Sequence, residues 1–189
     1  MPQTPALLDA LLALEPLHDL PRTGWVLRGV RDPESIGDHV LSTCFLVLAL
    51  GSRVEPPLDI ERAVALALVH DAPEALIGDL PRTAARLLPA GAKAAAEDRA
   101  AAELLAPLSA HALGLWDEVR AGLTREARFV KSCDRLQLGL KLVAYQRAGR
   151  RGLDEFRETV ASLDLSEFAP LASLRGEIQA ALGRDSARE

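Results

Sequence analysis

Residues 59–81 read DIERAVALALVHDAPEALIGDLP, and the spacing predicts a helix whose inner face turns polar before the helix ends. Asp59 is a suitable N-cap, because its carboxylate can accept from the free amides of the first turn. Ile60, Ala63, Val64, Ala67 and Leu68 then recur at helical intervals and mark one face for a core. Where that face should continue, the chain sets His70 beside Asp71, Glu74 one turn after His70, and Asp79 just past Gly78. Pro73 lacks an amide and crowds the preceding turn, so a kink is expected beside the pair. A carboxylate on an apolar helix face is costly unless a cation compensates it. A metal ion is the leading candidate for that cation.

The chain around this stretch reads as one all-α domain of about six to eight helices, with 1–189 as a single unit. Of its 189 residues, 49% are apolar and only 4% aromatic, a balance dominated by alanine and leucine that suits packed helices. A helix is expected over residues 5–18, then a loop or short extended segment over 20–31 carrying Arg22, Trp25, Arg28 and Arg31. Asp32-Pro33 is expected to open the next helix, as an N-cap followed by proline at the first helical position. The alanine-rich stretch from 92 to 106 is helical filler or a dimer face. Thr124 should cap a long helix that stops at Gly149 or Gly152. Weaker helices follow over 153–182, with a frayed tail over 183–189.

The formal charge of −5 argues against a nucleic-acid polymer as partner, and no apolar run reaches the ~20 residues of a membrane span. The N-terminus lacks a basic segment, so it does not read as a signal peptide. Cys44 and Cys133 lie in apolar helical stretches and read as reduced core thiols of a cytoplasmic protein.

Two further residues repeat the pattern of an interrupted apolar face. His39 sits among Ile36, Val40 and Thr43, and Asp134 lies four residues from both Val130 and Leu138. Alone, His39 reads as a hydrogen-bonded core histidine, and Asp134 as a surface carboxylate paired with Lys131 or Arg135. Together with His70 and Asp71 they form a mixed imidazole and carboxylate set, which suits a divalent transition ion.

The order His39, His70-Asp71, Asp134 resembles the signature of HD-domain metal-dependent phosphohydrolases. Three flanking blocks, RTGWVLRGVRDPESIGDHV (22–40), ALVHDAPEALIGDLP (67–81) and EARFVKSCDRL (126–136), resemble the 5′-deoxynucleotidase subgroup over about residues 20–145. That resemblance implies a helical, commonly dimeric enzyme that takes deoxyribonucleoside 5′-monophosphates to deoxynucleosides and phosphate. It implies one divalent metal (Mn, Co, Fe, Ni, Zn or Mg) held by His39, His70, Asp71 and Asp134. It also puts Glu74 at the catalytic acid or base, Asp79 at the sugar and Trp25 beside the substrate. Gly24 stands where part of the subgroup has a phosphate-binding arginine, which turns attention to Arg22 or Arg28 for that contact. Gln137 stands where many relatives have glutamate. The alternatives are another HD-type nucleotide phosphohydrolase or phosphodiesterase, and a non-catalytic metal- and nucleotide-binding sensor.

Overall fold

The computed structural model describes residues 7–186, and among these the regular structure is helical. Eight helices have six residues or more: α1 (Leu7–Leu12), α4 (Ile36–Gly51), α5 (Ile60–Val69), α8 (Ala92–Leu105), α9 (Ala110–Ala121), α10 (Arg125–Arg147), α11 (Asp154–Ala161) and α12 (Ala169–Ser186). Four single turns complete them: α2 (Pro16–Asp19), α3 (Thr23–Val26), α6 (Glu74–Ile77) and α7 (Arg82–Ala85). The β-type pairing among the described residues is one isolated bridge, Pro21 with Ser35. No helix among them is long and apolar enough to cross a membrane.

The chain forms two compact units. One contains the described residues up to Leu41 together with Leu68–Ala121; the other contains Ser42–Ala67 and the described residues from Gly122 onward.

In the first unit α2 packs on α6, α6 on α8, and α8 on α9. Alanine-rich α8 buries Ala100, Ala101, Leu104 and Leu105, so this face of the stretch is core rather than filler. Gly37 lets α2 approach the first turn of α4, since a Cβ there would sit 3.2 Å from the Leu17 carbonyl oxygen.

The second unit is organised on α10, whose Thr124 side chain accepts from the Ala127 amide as its N-cap. Gly139 lets α11 and α12 come close: a Cβ would meet Ile178 Cγ2 at 3.1 Å and Val160 Cγ1 at 3.2 Å. Phe129 and Phe168 pack edge to face with centroids 5.1 Å apart. Toward the C-terminus, Gln146 donates to the Leu182 carbonyl at 3.2 Å and accepts from Arg157 at 2.9 Å.

Several expected boundaries move. The helix expected from Asp32-Pro33 begins at Ile36, because Asp32 takes a left-handed φ of 50° and turns the chain instead. Ser35 is the cap: its hydroxyl accepts from the Asp38 amide at 3.0 Å, while Asp38 Oδ2 accepts from the Ser35 amide at 3.0 Å. The segment expected as loop or extended over 20–31 contains the helical turn α3. The helix expected over 5–18 splits into α1 and α2, its first two positions lying outside the described residues. On α5 the buried positions are Ala63, Leu66, Ala67 and Val69, whereas Leu68 is 64% exposed. At the other end, α12 continues through residues 183–186 of the expected tail, and 187–189 lie outside the described residues.

Candidate metal centre and the strap beside it

The break after α5 creates the site. Val69 is the last residue of the helix, and His70 to Pro73 form tight turns in which the Ala72 amide reaches the Val69 carbonyl at 3.1 Å and the Glu74 amide reaches Asp71 at 3.0 Å. Pro73 has no amide to continue the i to i−4 ladder, which explains the change of winding. Gly78 then takes φ 72° and turns the chain so that Asp79 faces α3.

His39, three positions into α4, meets His70 and Asp71 within the first unit. The two Nε2 atoms are 3.4 Å apart, and Asp71 Oδ2 lies 3.5 Å from His39 Nε2 and 3.3 Å from His70 Nε2. Two ligands ~2.1 Å from one ion stand roughly 3.0 Å apart in octahedral and 3.4 Å apart in tetrahedral geometry. The observed triangle therefore has the dimensions of one face of a metal's ligand shell. His39 is wholly buried, while the side chains of Asp71 and Arg22 keep 19% and 21% exposure, so the triangle is open on the Asp71 side. Arg22 Nη1 stands on that side, 3.5 Å from Asp71 Oδ2.

The electrostatics follow from this crowding. Burial alone would raise the Asp71 carboxyl, but the adjoining His70, His39 and Arg22 outweigh it and hold Asp71 well below the usual carboxylate range. Glu74 goes the other way, pushed up to about 9 by burial and then by the charges of Asp71 and Asp79. Its Oε2 is buried without a hydrogen-bond partner, an arrangement proteins rarely tolerate away from a binding site. The donor set, its spacing and this orphaned oxygen all fit a bound divalent cation.

The remaining expected residues have varied fates. Asp79 Oδ2 accepts from the Thr23 amide at 2.6 Å, and its carbonyl accepts from the Thr23 hydroxyl at 2.8 Å. Trp25 is only 1% exposed, and its Nε1–H donates to Glu34 Oε1 at 2.8 Å. Arg28 is half-buried, with Nη1 reaching the Leu27 carbonyl at 3.4 Å. Asp134 lies on α10 in the second unit, where burial and then the Asp134 charge push the neighbouring Cys133 thiol up. Cys44 and Cys133 are both free. Thr23 and Glu34 carry no signal in the sequence. Their contacts cross 56 and 9 positions, and neither residue interrupts an apolar stripe.

A helical fold carrying a His, His-Asp cluster at a broken helix defines a class, and the chain belongs to the HD-domain family, whose model matches residues 14–171. It is similar to the 5′-deoxynucleotidase HDDC2 of Bos taurus, at 36% identity over 163 residues, 82% of this chain and 76% of that protein. The Mus musculus 5′-deoxynucleotidase HDDC2 is 33% identical over 190 residues, covering 90% of this chain and 93% of that protein. Among solved structures, the PH0347 protein of Pyrococcus horikoshii OT3 superposes with a TM-score of 0.77 at 30% identity, over 92% of this chain and 99% of that one.

Proposed function

We propose that this protein is a metal-dependent 5′-deoxynucleotidase, hydrolysing deoxyribonucleoside 5′-monophosphates to deoxynucleosides and inorganic phosphate. The observation that carries the reading is the His39, His70, Asp71 triangle of 3.3–3.5 Å with Arg22 on its open side. The likeness to HDDC2 proteins supports the choice of substrate. Asp134, from the EARFVKSCDRL block, is assigned as the fourth ligand. The imidazole and carboxylate donors suit Mn, Fe, Co, Ni or Zn, with Mg also in the set the family reading allows.

Phosphomonoester hydrolysis requires a barrier reduction on the order of 20 kcal/mol. The ion, when bound, supplies Lewis acidity toward a phosphoryl oxygen and the attacking water. Arg22 binds the remaining phosphoryl oxygens, where a guanidinium fork can donate two parallel hydrogen bonds. Arg28 is the second arginine available on the same segment. Glu74 holds or passes a proton at its buried carboxyl, one turn from His70. Trp25 is assigned beside the substrate, its indole buried and held by the hydrogen bond to Glu34.

The test is phosphate release over a panel of dNMPs, NMPs, cyclic nucleotides and nucleoside triphosphates with several divalent ions. Release from dNMPs above the other classes is expected. Preference for a cyclic or polyphosphate substrate would replace this reading with another HD-type phosphohydrolase, and no release with any ion would make the protein a sensor. Asp79 is assigned to the sugar 3′-hydroxyl. Steric rejection of an added hydroxyl gives only ~10²-fold discrimination, so a modest deoxy preference is expected. Asp79→Ala should bring the dAMP-to-AMP ratio of kcat/KM toward unity; an unchanged ratio removes Asp79 from selection.

A cytoplasmic homodimer belongs to the same reading. The two free thiols suit a reducing compartment. Leu41, Phe45 and Leu48 form an exposed apolar stripe on α4 that suits self-association, and light scattering reads the mass directly.

A further inference from the structure

The segment that carries Arg22 is pinned on two sides. On one side the Arg22 amide donates to the Glu34 carbonyl at 3.0 Å and the Ile36 amide to the Leu20 carbonyl at 2.9 Å, closing the Pro21–Ser35 bridge. The buried Trp25 to Glu34 hydrogen bond lies on the same side. On the other side, Thr23 donates twice to Asp79, its amide to the carboxylate and its hydroxyl to the carbonyl. Arg22 sits between these fastenings with its guanidinium beside Asp71.

An arginine side chain has many rotatable bonds, and it gains preorganisation only when its own backbone is held. The Glu34 side fixes the backbone of Arg22 in one direction. The Thr23 clasp removes the remaining freedom, because it adjoins Arg22 and anchors to Asp79, just past α6 and its Gly78 turn. Asp79 Oδ2 is committed to the Thr23 amide, which leaves Oδ1 to accept from a sugar hydroxyl.

We propose that Thr23 is a positioning residue: its clasp with Asp79 holds Arg22 against the metal ligands and couples the carboxylate that meets the sugar to the arginine that meets the phosphate. The inference rests on the phosphate-binding reading of the site and adds to it a mechanical link between two ends of the substrate. Asp79 acts on the phosphate end through a backbone amide, without touching it.

The experiment is a double-mutant cycle on metal-loaded protein. Thr23→Val keeps the shape and amide of the residue but loses the hydroxyl, and Thr23→Ser keeps the hydroxyl. Each is made alone and with Arg22→Ala, and the readouts are calorimetric affinity for inorganic phosphate and the KM and kcat for dAMP. With Arg22 present, Thr23→Val should weaken phosphate binding and raise KM by about tenfold, as loss of one hydrogen bond near an oriented group does. Thr23→Ser should restore both. In the Arg22→Ala background, Thr23→Val should change phosphate affinity less than about twofold, because the residue it positions is gone. Equal losses in both backgrounds, or no loss with Arg22 present, overturn the proposal. Loss of the fold in Thr23→Val with the fold kept in Thr23→Ser, read by circular dichroism, makes the clasp a folding element and overturns it as well. Phosphate affinity needs no turnover, so a parent protein that fails to hydrolyse dNMPs sinks the proposed function while the cycle still decides the clasp.

Discussion

His70→Ala is expected to leave the protein without a stoichiometric divalent ion after dialysis and to lower dNMP turnover by at least about 10³-fold. The physical basis is the size of the ligand triangle. With Nε2 of His39, Nε2 of His70 and Oδ2 of Asp71 separated by 3.3–3.5 Å, each atom would supply one vertex of a shared ligand shell, and the candidate cluster among the described residues is made of these three side chains. Even residues that only support a ligand cost 10–100-fold in metal affinity or activity when lost, so a direct ligand should cost more. Elemental analysis and phosphate release on the same preparation give the result, with circular dichroism to show that α4 and α5 persist. Full metal occupancy with turnover above a tenth of the parent's would remove His70 from the centre. The same pair of measurements on Asp134→Ala decides the fourth ligand, with loss of the ion expected and full retention refuting the assignment.

How much of this was readable in the sequence depended on how far each interaction reaches along the chain. The caps at Asp59 and Thr124 and the break beside Pro73 concern residues within four positions of one another. Local chemistry specifies them, and they stand as expected: Asp59 Oδ1 accepts from the Arg62 amide at 2.9 Å, and Thr124 from Ala127 at 3.2 Å. The start of α4, expected at Asp32-Pro33, lies at Ile36 with Ser35 as its cap. It is associated with a bridge to Pro21 that no local rule contains. Leu68 failed as a core residue because the winding changes just after Val69, and the face that enters the core is the one carrying Leu66. His39 and His70 are 31 positions apart; His39 alone reads as a core histidine, and the pairing was legible from the set it makes with His70-Asp71 and Asp134 and from the signature that set resembles. Asp79 had no such signature, since an aspartate after a turn glycine is ordinary. Its grip on Thr23 became visible only when the chain was folded. Asp134 is an assignment carried by its sequence block and the resemblance that block bears.

Glu74→Gln is expected to cut turnover by 10²–10⁴-fold, the usual range for a proton-transferring group, while making the metal-free protein more stable at neutral and alkaline pH. The two effects share one cause. Burial and the charges of Asp71 and Asp79 push the Glu74 carboxyl from its ordinary 4.5 up to about 9, so the folded metal-free protein holds a proton that the unfolded chain releases. Stability from this group is therefore fully present below about pH 4.5 and is lost as pH rises toward 9, by up to ~1.4 kcal/mol per pH unit. Glutamine has the shape of the protonated acid and does not titrate, so it keeps that stability throughout. The melting temperatures of metal-free parent and Glu74→Gln should nearly coincide at pH 4.5 and separate with rising pH. With structural relaxation leaving ~2 kcal/mol of the difference by pH 8, the gap should be roughly 4–8 °C for a chain of this size. A bound cation opposes the same repulsion, so metal should stabilise the parent more than the variant, narrowing the gap. A variant that melts below the parent at pH 8 without metal would show that the Glu74 charge is accommodated. Parental kcat in the metal-replete variant would remove the carboxyl from the chemistry. A more stable, metal-binding and inactive variant would identify Glu74 as a residue kept for turnover at a cost to the fold.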